Sequence, residues 1–217
     1  MAGIKTAVLI SGRGSNMAAL VDAAQEDEYP AEIALVLSNV ADAAGLDHAR
    51  SSGIATAVLG HRDFADRASF ETELSRLLHE NGVELVCLAG FMRLLTDTFV
   101  DEWRDRLINI HPSLLPAFKG LNTHERALAA GVRIHGATVH FVRPNMDEGP
   151  IIVQAAVPVL EADNAQSLAE RVLAVEHRIY PMALAWVAQR RARVVGERVV
   201  LGNLPESTGI LIYPPSG

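Results

Sequence analysis

The feature that most constrains the fold of this 217-residue chain is a regular alternation, in its first half, of short apolar runs with helix-like segments. The runs are rich in Val, Ile and Leu, as strands buried in a parallel sheet are. Alternation of this kind is typical of βαβ units. It predicts an α/β, Rossmann-like fold with a mostly parallel central sheet and helices on both faces. The predicted strands are Thr6–Ile10, Ile33–Leu37, Thr56–Leu59, Glu84–Ala89 and Leu107–Ile110.

The pattern changes after residue 110. A proline-rich loop, His111–Leu121, precedes a short helix predicted near Thr123–Ala130. Two further strands are predicted at Ala137–Val142 and Ile151–Val159, and the turn-forming residues of Arg143–Pro150 separate them.

A long helix follows, because apolar residues recur at helical spacing along one stripe. We expect a capping box from Ser167 to Glu170 at its start, and we expect Pro181 to kink or break it. Gly196-Glu197 predicts a hairpin between Val194 and Val200. With no linker or repeat, residues 1–217 are predicted to form one domain. The stripe consists of Leu168, Val172, Val175 and Ile179.

Composition excludes several classes of protein. The chain has 19 Lys and Arg against 26 Asp and Glu, a net charge of −7, and 49% hydrophobic residues, as ordinary globular domains do. Since basic residues do not cluster, we expect no nucleic-acid partner, although a local pocket could still hold one small anion. The single cysteine, Cys87, lies in an apolar run and is predicted to be a core residue. No signal peptide or membrane span is apparent, so we expect a cytoplasmic protein without a membrane partner.

A glycine-rich segment, Ser11–Asn16, follows the first strand and opens the first helix. Free N–H groups at a helix N-terminus bind phosphate well, and glycines allow its close approach. The alternative is a tight turn with Ser15 or Asn16 as a helix cap. A dinucleotide fits less well, because Met17 stands where the third glycine of that fingerprint belongs. One phosphate group therefore suits this segment best.

Polar residues interrupt the fifth predicted strand. Alternate side chains of a strand share a face, so Asn109 and His111 are predicted to project together. Pro112 favours the end of the strand there, and ligands bind at the carboxyl ends of parallel strands. An amide and an imidazole could stabilise an oxyanion and move a proton, as acyl transfer requires. The alternative is a polar pair at a sheet edge.

Two carboxylates are further candidates. Asp147 lies in the turn after the sixth strand and could orient His111, whereas the alternative is a solvated turn residue. Glu176 lies at the edge of the long helix's apolar stripe and would need a partner if buried, whereas the alternative is a surface ion pair.

His79-Glu80 and His124-Glu125 lack a second histidine at metal-binding spacing, and no Cys-x-x-Cys occurs, so no metal site is predicted.

Four ordered segments together resemble the phosphoribosylglycinamide formyltransferases, folate-dependent enzymes of purine synthesis. The resemblance covers residues 4–190 and leaves the tail, residues 191–217, unassigned. It implies transfer of a formyl group from 10-formyltetrahydrofolate, a co-substrate, to the amine of glycinamide ribonucleotide, without a metal. It also implies a monomer or homodimer. The segments are Val8–Asn16, Leu88–Arg93, Asn109–Pro116 and the stretch from His135-Gly136 to Asp147–Pro150.

The resemblance also implies roles for particular residues. Asn109, His111 and Asp147 match the catalytic set. The positions that hold the ribonucleotide are Gly14, Ser15, Asn16, Leu173, Ala174, Val175 and Glu176. The positions that hold the folate are Arg67, Met92, Arg93, Leu94, Leu95, Asn109, Arg143, Pro144, Asn145, Met146 and Asp147.

The chain departs from the family pattern at two places. Arg13 replaces a small or amide residue, and it either adds charge near the phosphate or points to solvent; Asn122 replaces a histidine. Three rival functions fit less well. A formyltetrahydrofolate hydrolase is expected to carry an extra N-terminal domain, for which a first strand that starts by residue 6 is expected to leave no room. A transfer RNA formylating enzyme is expected to carry an extra C-terminal domain, for which 217 residues are expected to be too few. A nucleotide-sensing module would use only the phosphate loop.

Overall fold

The computed structural model describes residues 3–202. Strands β1 to β9 are Ile4–Ile10, Ala31–Ser38, Thr56–Val58, Leu85–Leu88, Leu107–His111, Ile134–Phe141, Ile151–Pro158, Ala192–Val195 and Arg198–Leu201. Helices α1 to α6 are Ser15–Ala24, Gly45–Ser51, Arg67–Glu80, Asp97–Glu102, Thr123–Ala129 and Ala165–Ala188. A short 3₁₀ helix spans His61–Asp63.

Seven strands form the central sheet, in the order β3-β2-β1-β4-β5-β6-β7. The first five are parallel, and β6 and β7 are antiparallel to their neighbours. The strand order reverses at β1, which pairs with both β2 and β4. In open α/β sheets the crevice at such a reversal is where ligands bind. The predicted mostly parallel α/β sheet is confirmed, and β6 begins at Ile134, before the predicted start.

Helices cover both faces of the sheet, as predicted. Along β1, Val8 and Ile10 pack into one apolar cluster with residues of α1, α2, α5 and α6. Ala7 and Leu9 point the other way, into a second cluster with residues of α3 and α4. Cys87 is fully buried in the first cluster, as expected, and burial raises the pKa of its thiol to about 12.

The start of α6 corrects one prediction. The capping box joins Asn164 and Ser167, not Ser167 and Glu170. The Asn164 Oδ1 atom accepts from the Ser167 N–H at 3.0 Å, and the Ser167 hydroxyl accepts from the Asn164 N–H at 3.1 Å. Asparagine is as good an N-cap as serine, so the helix begins one turn earlier than the Ser–Glu pattern indicates.

Pro181 lies inside α6 and does not end it, which corrects the expectation of a break there; the helix continues to Ala188. Tyr180, Ala183 and Leu184 are fully buried on either side of the proline. Packing of this face outweighs the single backbone hydrogen bond that proline cannot make. Within residues 3–202, no helix is both long and apolar enough to cross a membrane.

The predicted C-terminal hairpin is present. Strands β8 and β9 pair in antiparallel register about Gly196-Glu197, with Val195 opposite Arg198. The hairpin is separate from the central sheet, and the Gly202 N–H donates to the Arg191 carbonyl at 2.8 Å.

Candidate active site

Asn109 and His111 lie near the carboxyl end of β5, on the strand beside β4. Ile108 and Ile110 alternate with them and pack in the first core cluster, as predicted. Asn109 is opposite His140 in the antiparallel pairing of β5 with β6. This pairing places an imidazole directly beside the Asn109 amide.

His140 orients the Asn109 amide. The His140 Nδ1 atom lies 2.9 Å from the Phe141 carbonyl oxygen, which can only accept, so Nδ1 carries a proton. Burial lowers the pKa of His140, and its neutral Nε2 atom accepts from the Asn109 Nδ2 atom at 3.3 Å. One amide hydrogen is thereby used, and the other has no hydrogen-bond partner among residues 3–202. Sequence reasoning missed His140, and only its register opposite Asn109 could have indicated it.

His111 is buried, and both its ring nitrogens face acceptors. Its Nε2 atom donates to the Phe118 carbonyl at 3.1 Å. Its Nδ1 atom lies 3.6 Å from the Asp147 Oδ2 atom. An imidazolium in this place would therefore have an oxygen opposite each N–H group. The solvated-turn alternative for Asp147 is wrong, because its side chain is 9% exposed.

Two loops converge on His111. The Asp147 Oδ2 atom also accepts from the Gly120 N–H at 2.8 Å, so the loop after β5 and the loop after β6 share one carboxylate. Lys119 and Glu148 join the same loops by an ion pair at 2.6 Å. Gly149 lets the second loop lie against β6, since a Cβ atom there would be 1.6 Å from the Phe141 carbonyl oxygen. Asn109, His111 and Asp147 thus come together from separate stretches of chain.

A ring cluster supports the first loop from behind. Phe118 and His135 pack edge to face at 5.8 Å, and His135 and His124 do so at 5.4 Å. Burial, aided by His124, lowers the pKa of His135 to about 4. His135 and His124 are therefore neutral near pH 7, since burial also lowers the pKa of His124. Neither histidine is predicted from the sequence to position the site.

The start of α1 favours the anion-binding alternative over the capped turn. Gly14 is the N-cap, with φ +72°, and no side chain caps the helix, so Ser15 and Asn16 are not caps. Gly14 packs on Gly45, and a Cβ atom added to Gly14 would be 2.9 Å from the Gly45 Cα atom. The first N–H groups of α1 are therefore not occupied by a cap. Arg13 is exposed, which is compatible with both alternatives for its side chain.

Glu176 connects α6 to this helix start. The Asn16 Nδ2 atom donates to the Glu176 Oε2 atom at 2.6 Å, and Glu176 is 6% exposed. Burial raises the pKa of Glu176, and the bond from Asn16 acts against that rise. The Asn16 Oδ1 atom is buried without a partner among the described residues. The surface-ion-pair alternative for Glu176 is therefore wrong. Leu173, Ala174 and Val175 directly precede Glu176 within α6.

Exposed apolar side chains lie in the loops that follow β4, β5 and β6. Met92 and Leu94, in the loop after β4, are 67% and 59% exposed, and Met146 is 54% exposed. Leu121 is 75% exposed, although sequence reasoning did not select it. The Met92 N–H donates to the Ser11 hydroxyl at 2.8 Å, which ties the loop after β4 to the loop after β1. Met92, Leu94, Leu121 and Met146 are here called the apolar rim.

The remaining positions that the resemblance assigns to the folate differ in how exposed they are and in whether their side chains already have partners. Arg67 is exposed at the first position of α3, and Arg93 and Leu95 are partly buried after β4. Asn145 donates to Glu148 at 2.9 Å, and Pro144 precedes it. Arg143 is 8% exposed and its guanidinium pairs with Asp105 and Glu197. Its side chain is already occupied, so only its backbone is free to contact a ligand.

The arrangement has the parts of an acyl-transfer site. Asn109 supplies an amide N–H, His111 an imidazole, Asp147 a carboxylate and α1 an uncapped N-terminus. Donors of this kind stabilise a developing oxyanion. Among residues 3–202, no cluster of His, Cys, Asp and Glu has the geometry of a metal site. Asn122, with φ +55°, starts α5 without a side-chain cap.

Comparison with known proteins agrees with this geometry. The family model described as "Formyl transferase" matches residues 4–184. The Escherichia coli phosphoribosylglycinamide formyltransferase is 44% identical over 187 residues, which cover 86% of this chain and 88% of the relative. The bovine trifunctional purine biosynthetic protein adenosine-3 is 50% identical over 190 residues. That match covers 88% of this chain but only 19% of the bovine protein.

Solved structures agree as well. Glycinamide ribonucleotide transformylase 1 from Symbiobacterium toebii superposes with a TM-score of 0.90 at 46% identity, covering 93% of this chain and 95% of that one. A formyltetrahydrofolate deformylase from Pseudomonas syringae has a TM-score of 0.86 at 27% identity, covering 93% of this chain and 66% of that one. A match to most of the chain, in sequence and in structure, leads to one conclusion. The chain belongs to the formyl transferase family.

Proposed function

We propose that this protein transfers the formyl group of 10-formyltetrahydrofolate to the amine of glycinamide ribonucleotide, as phosphoribosylglycinamide formyltransferases do. One observation carries the proposal: the Asp147 carboxylate lies 3.6 Å from His111, which shares strand β5 with the oriented amide of Asn109. The names of the Escherichia coli and Symbiobacterium toebii relatives support the same substrate.

The reaction is a direct transfer between the two bound substrates. The neutral amine of the ribonucleotide attacks the formyl carbon, and the carbonyl oxygen becomes an oxyanion. The free N–H of Asn109 stabilises that charge by about 3–4 kcal/mol. The positive charge of protonated His111, whose two N–H groups face the Phe118 carbonyl and Asp147, stabilises it electrostatically. Asp147 stabilises the imidazolium of His111. A water held by Asp147 carries the proton from the attacking nitrogen to the departing folate nitrogen, so that the transfer leaves the protein unchanged.

The ribonucleotide lies at the start of α1 in this proposal. Its phosphate accepts from the uncapped N–H groups of Gly14, Ser15 and Asn16, where the helix dipole favours an anion. Glu176 lies beside Asn16, and its carboxyl group accepts from an N–H or hydroxyl group of the substrate.

The folate lies along the apolar rim. Met92, Leu94, Leu121 and Met146 are exposed apolar side chains in the loops after β4, β5 and β6, and a flat aromatic ligand would cover them. The folate is consumed as a co-substrate, and the proposed chemistry uses no metal. We also propose that the protein is cytoplasmic and is a monomer or homodimer.

The rival function is hydrolysis of the formyl folate, because the Pseudomonas syringae deformylase has the same fold. Purified protein is mixed with 10-formyl-dideazafolate, and loss of the formyl group is followed by absorbance with and without glycinamide ribonucleotide. The proposal predicts loss only when the ribonucleotide is present, with one formyl group appearing on the ribonucleotide for each one lost. Loss without the ribonucleotide would indicate the hydrolase, and no loss in either mixture would indicate a sensor.

A further inference from the structure

The C-terminal hairpin holds a cluster of charges against the loop that carries Asp147. The cluster, here called the Arg143 cluster, consists of Arg143, Asp105, Glu197 and Arg104. The Arg143 Nη2 atom donates to the Asp105 Oδ1 atom at 2.7 Å, and its Nε atom donates to the Glu197 Oε2 atom at 2.9 Å. Arg104 binds the other oxygen of Glu197 at 2.7 Å. Glu197 therefore bridges two arginines from the turn of the hairpin.

Arg143 is buried between these partners. It is 8% exposed, whereas the side chains of Asp105 and Glu197 are 45% and 59% exposed. Its third contact, at 3.0 Å, is the carbonyl of Val142, the residue before it. A buried guanidinium needs such partners, because an uncompensated charge in the protein interior is costly. The three contacts fix Arg143, the second residue of the loop that follows β6.

The same loop is fixed at its other end by different contacts. Asp147 accepts from Gly120, Glu148 pairs with Lys119, and Gly149 packs on β6. Three residues, 144–146, separate Arg143 from Asp147 in sequence. Movement of Arg143 would therefore shift the start of the loop without breaking the contacts at its end.

We propose that Glu197 and Asp105 are positioning residues for formyl-donor binding: they hold Arg143, and through it the loop 143–147, in the conformation that receives the folate. The hairpin β8–β9 is then part of the donor-binding architecture rather than an inert tail. This proposal rests on the proposed function, because the loop is assigned to the folate there.

The test uses variants that change charge and keep shape. Glu197→Gln and Asp105→Asn each remove one carboxylate from Arg143, and asparagine suits the φ of +57° at position 105. Arg198→Gln, an exposed residue next to Glu197 in the hairpin, is the matched control. KM for the formyl donor and KM for the ribonucleotide are measured separately. Hydrogen exchange of peptides covering 143–149 and thermal unfolding are measured on the same samples.

We expect Glu197→Gln and Asp105→Asn each to raise KM for the donor about fivefold, because each variant loses one partly exposed ion pair. KM for the ribonucleotide should stay unchanged in both. Exchange in 143–149 should become faster in both variants and stay as in the wild type in Arg198→Gln. Lower thermal stability with unchanged donor KM and unchanged exchange would overturn the proposal, since the hairpin would then only stabilise the fold.

The two proposals fail differently. If the wild type does not transfer formyl to the ribonucleotide, the proposed function fails, and the hydrogen-exchange comparison still decides whether Glu197 and Asp105 hold the loop. If the wild type is active and the donor KM does not respond to either variant, only the positioning role fails.

Discussion

His135 links the stability of this protein to pH, because it is neutral and buried next to the loop that contacts His111. Burial and His124 lower its pKa from 6.5 to about 4. The unfolded chain therefore binds a proton at a pH where the folded protein does not. The resulting stability is present above the unfolded pKa of 6.5 and is lost as pH falls from there towards 4. With these two values, the loss at about pH 5 is at most about 2 kcal/mol.

The substitution His135→Asn removes this titration. An asparagine amide can still donate to the Pro112 carbonyl, the backbone bond that His135 makes. Urea unfolding at about pH 7 and about pH 5, followed by the fluorescence of Trp103 and Trp186, gives the free energy of unfolding for each protein. The wild type should lose more stability than the variant between the two pH values, by up to about 2 kcal/mol. His48→Asn, on α2 and outside the ring cluster, should keep the wild-type difference. Equal pH dependence in the wild type and His135→Asn would refute this account of His135.

Two further substitutions test other parts of the structure. Glu176→Gln should raise the free energy of unfolding near pH 7. Burial raises the pKa of Glu176 in the folded protein, so the wild type loses stability as pH rises through that raised pKa. The gain should disappear below about pH 4.5, where the carboxyl group is protonated in the folded and the unfolded chain alike. Urea unfolding across that range checks the sign, and a variant less stable than the wild type at pH 7 would contradict it. Gly149→Ala should destabilise the protein by about 3 kcal/mol or more, because the new Cβ atom would overlap the Phe141 carbonyl oxygen. Gly53→Ala is the control: a Cβ atom there meets open space but φ is +75°, so it should cost only about 1 kcal/mol. Thermal unfolding compares the two variants, and equal shifts in Tm would contradict this prediction.

Local pattern predicted the sheet because buried parallel strands are continuous apolar runs. Asn109 and His111 could be recognised for a related reason: polar residues in such a run, next to Pro112, are conspicuous. The start of α6 was misplaced because two capping patterns overlap there, and the sequence does not show that Asn164 rather than Ser167 is the N-cap.

Contacts between distant residues could not be predicted in the same way. Asn16 and Glu176 are 160 residues apart, and only folding shows that the glutamate is buried beside the start of α1. Arg143 was assigned to the folate by resemblance, whereas its guanidinium is held by Asp105 and by Glu197, 54 residues away. No sequence motif indicates such an ion pair, because nothing near Glu197 in sequence shows which arginine it contacts in the folded protein.

The central claim is that a carboxylate beside His111 and an oriented amide at Asn109 perform formyl transfer, and Asp147→Asn tests it most directly. Asparagine tolerates the φ of +58° at this position and its side-chain oxygen can still accept from the Gly120 N–H, so only the charge is removed. Glu161→Gln removes the same charge from an exposed residue outside the site loops and serves as the control. We predict that ribonucleotide-dependent loss of formyl from the donor falls about 100-fold or more in kcat for Asp147→Asn, while Glu161→Gln stays within about threefold of the wild type. A kcat for Asp147→Asn equal to that of the wild type, in a protein that unfolds at the wild-type temperature, would contradict the claim.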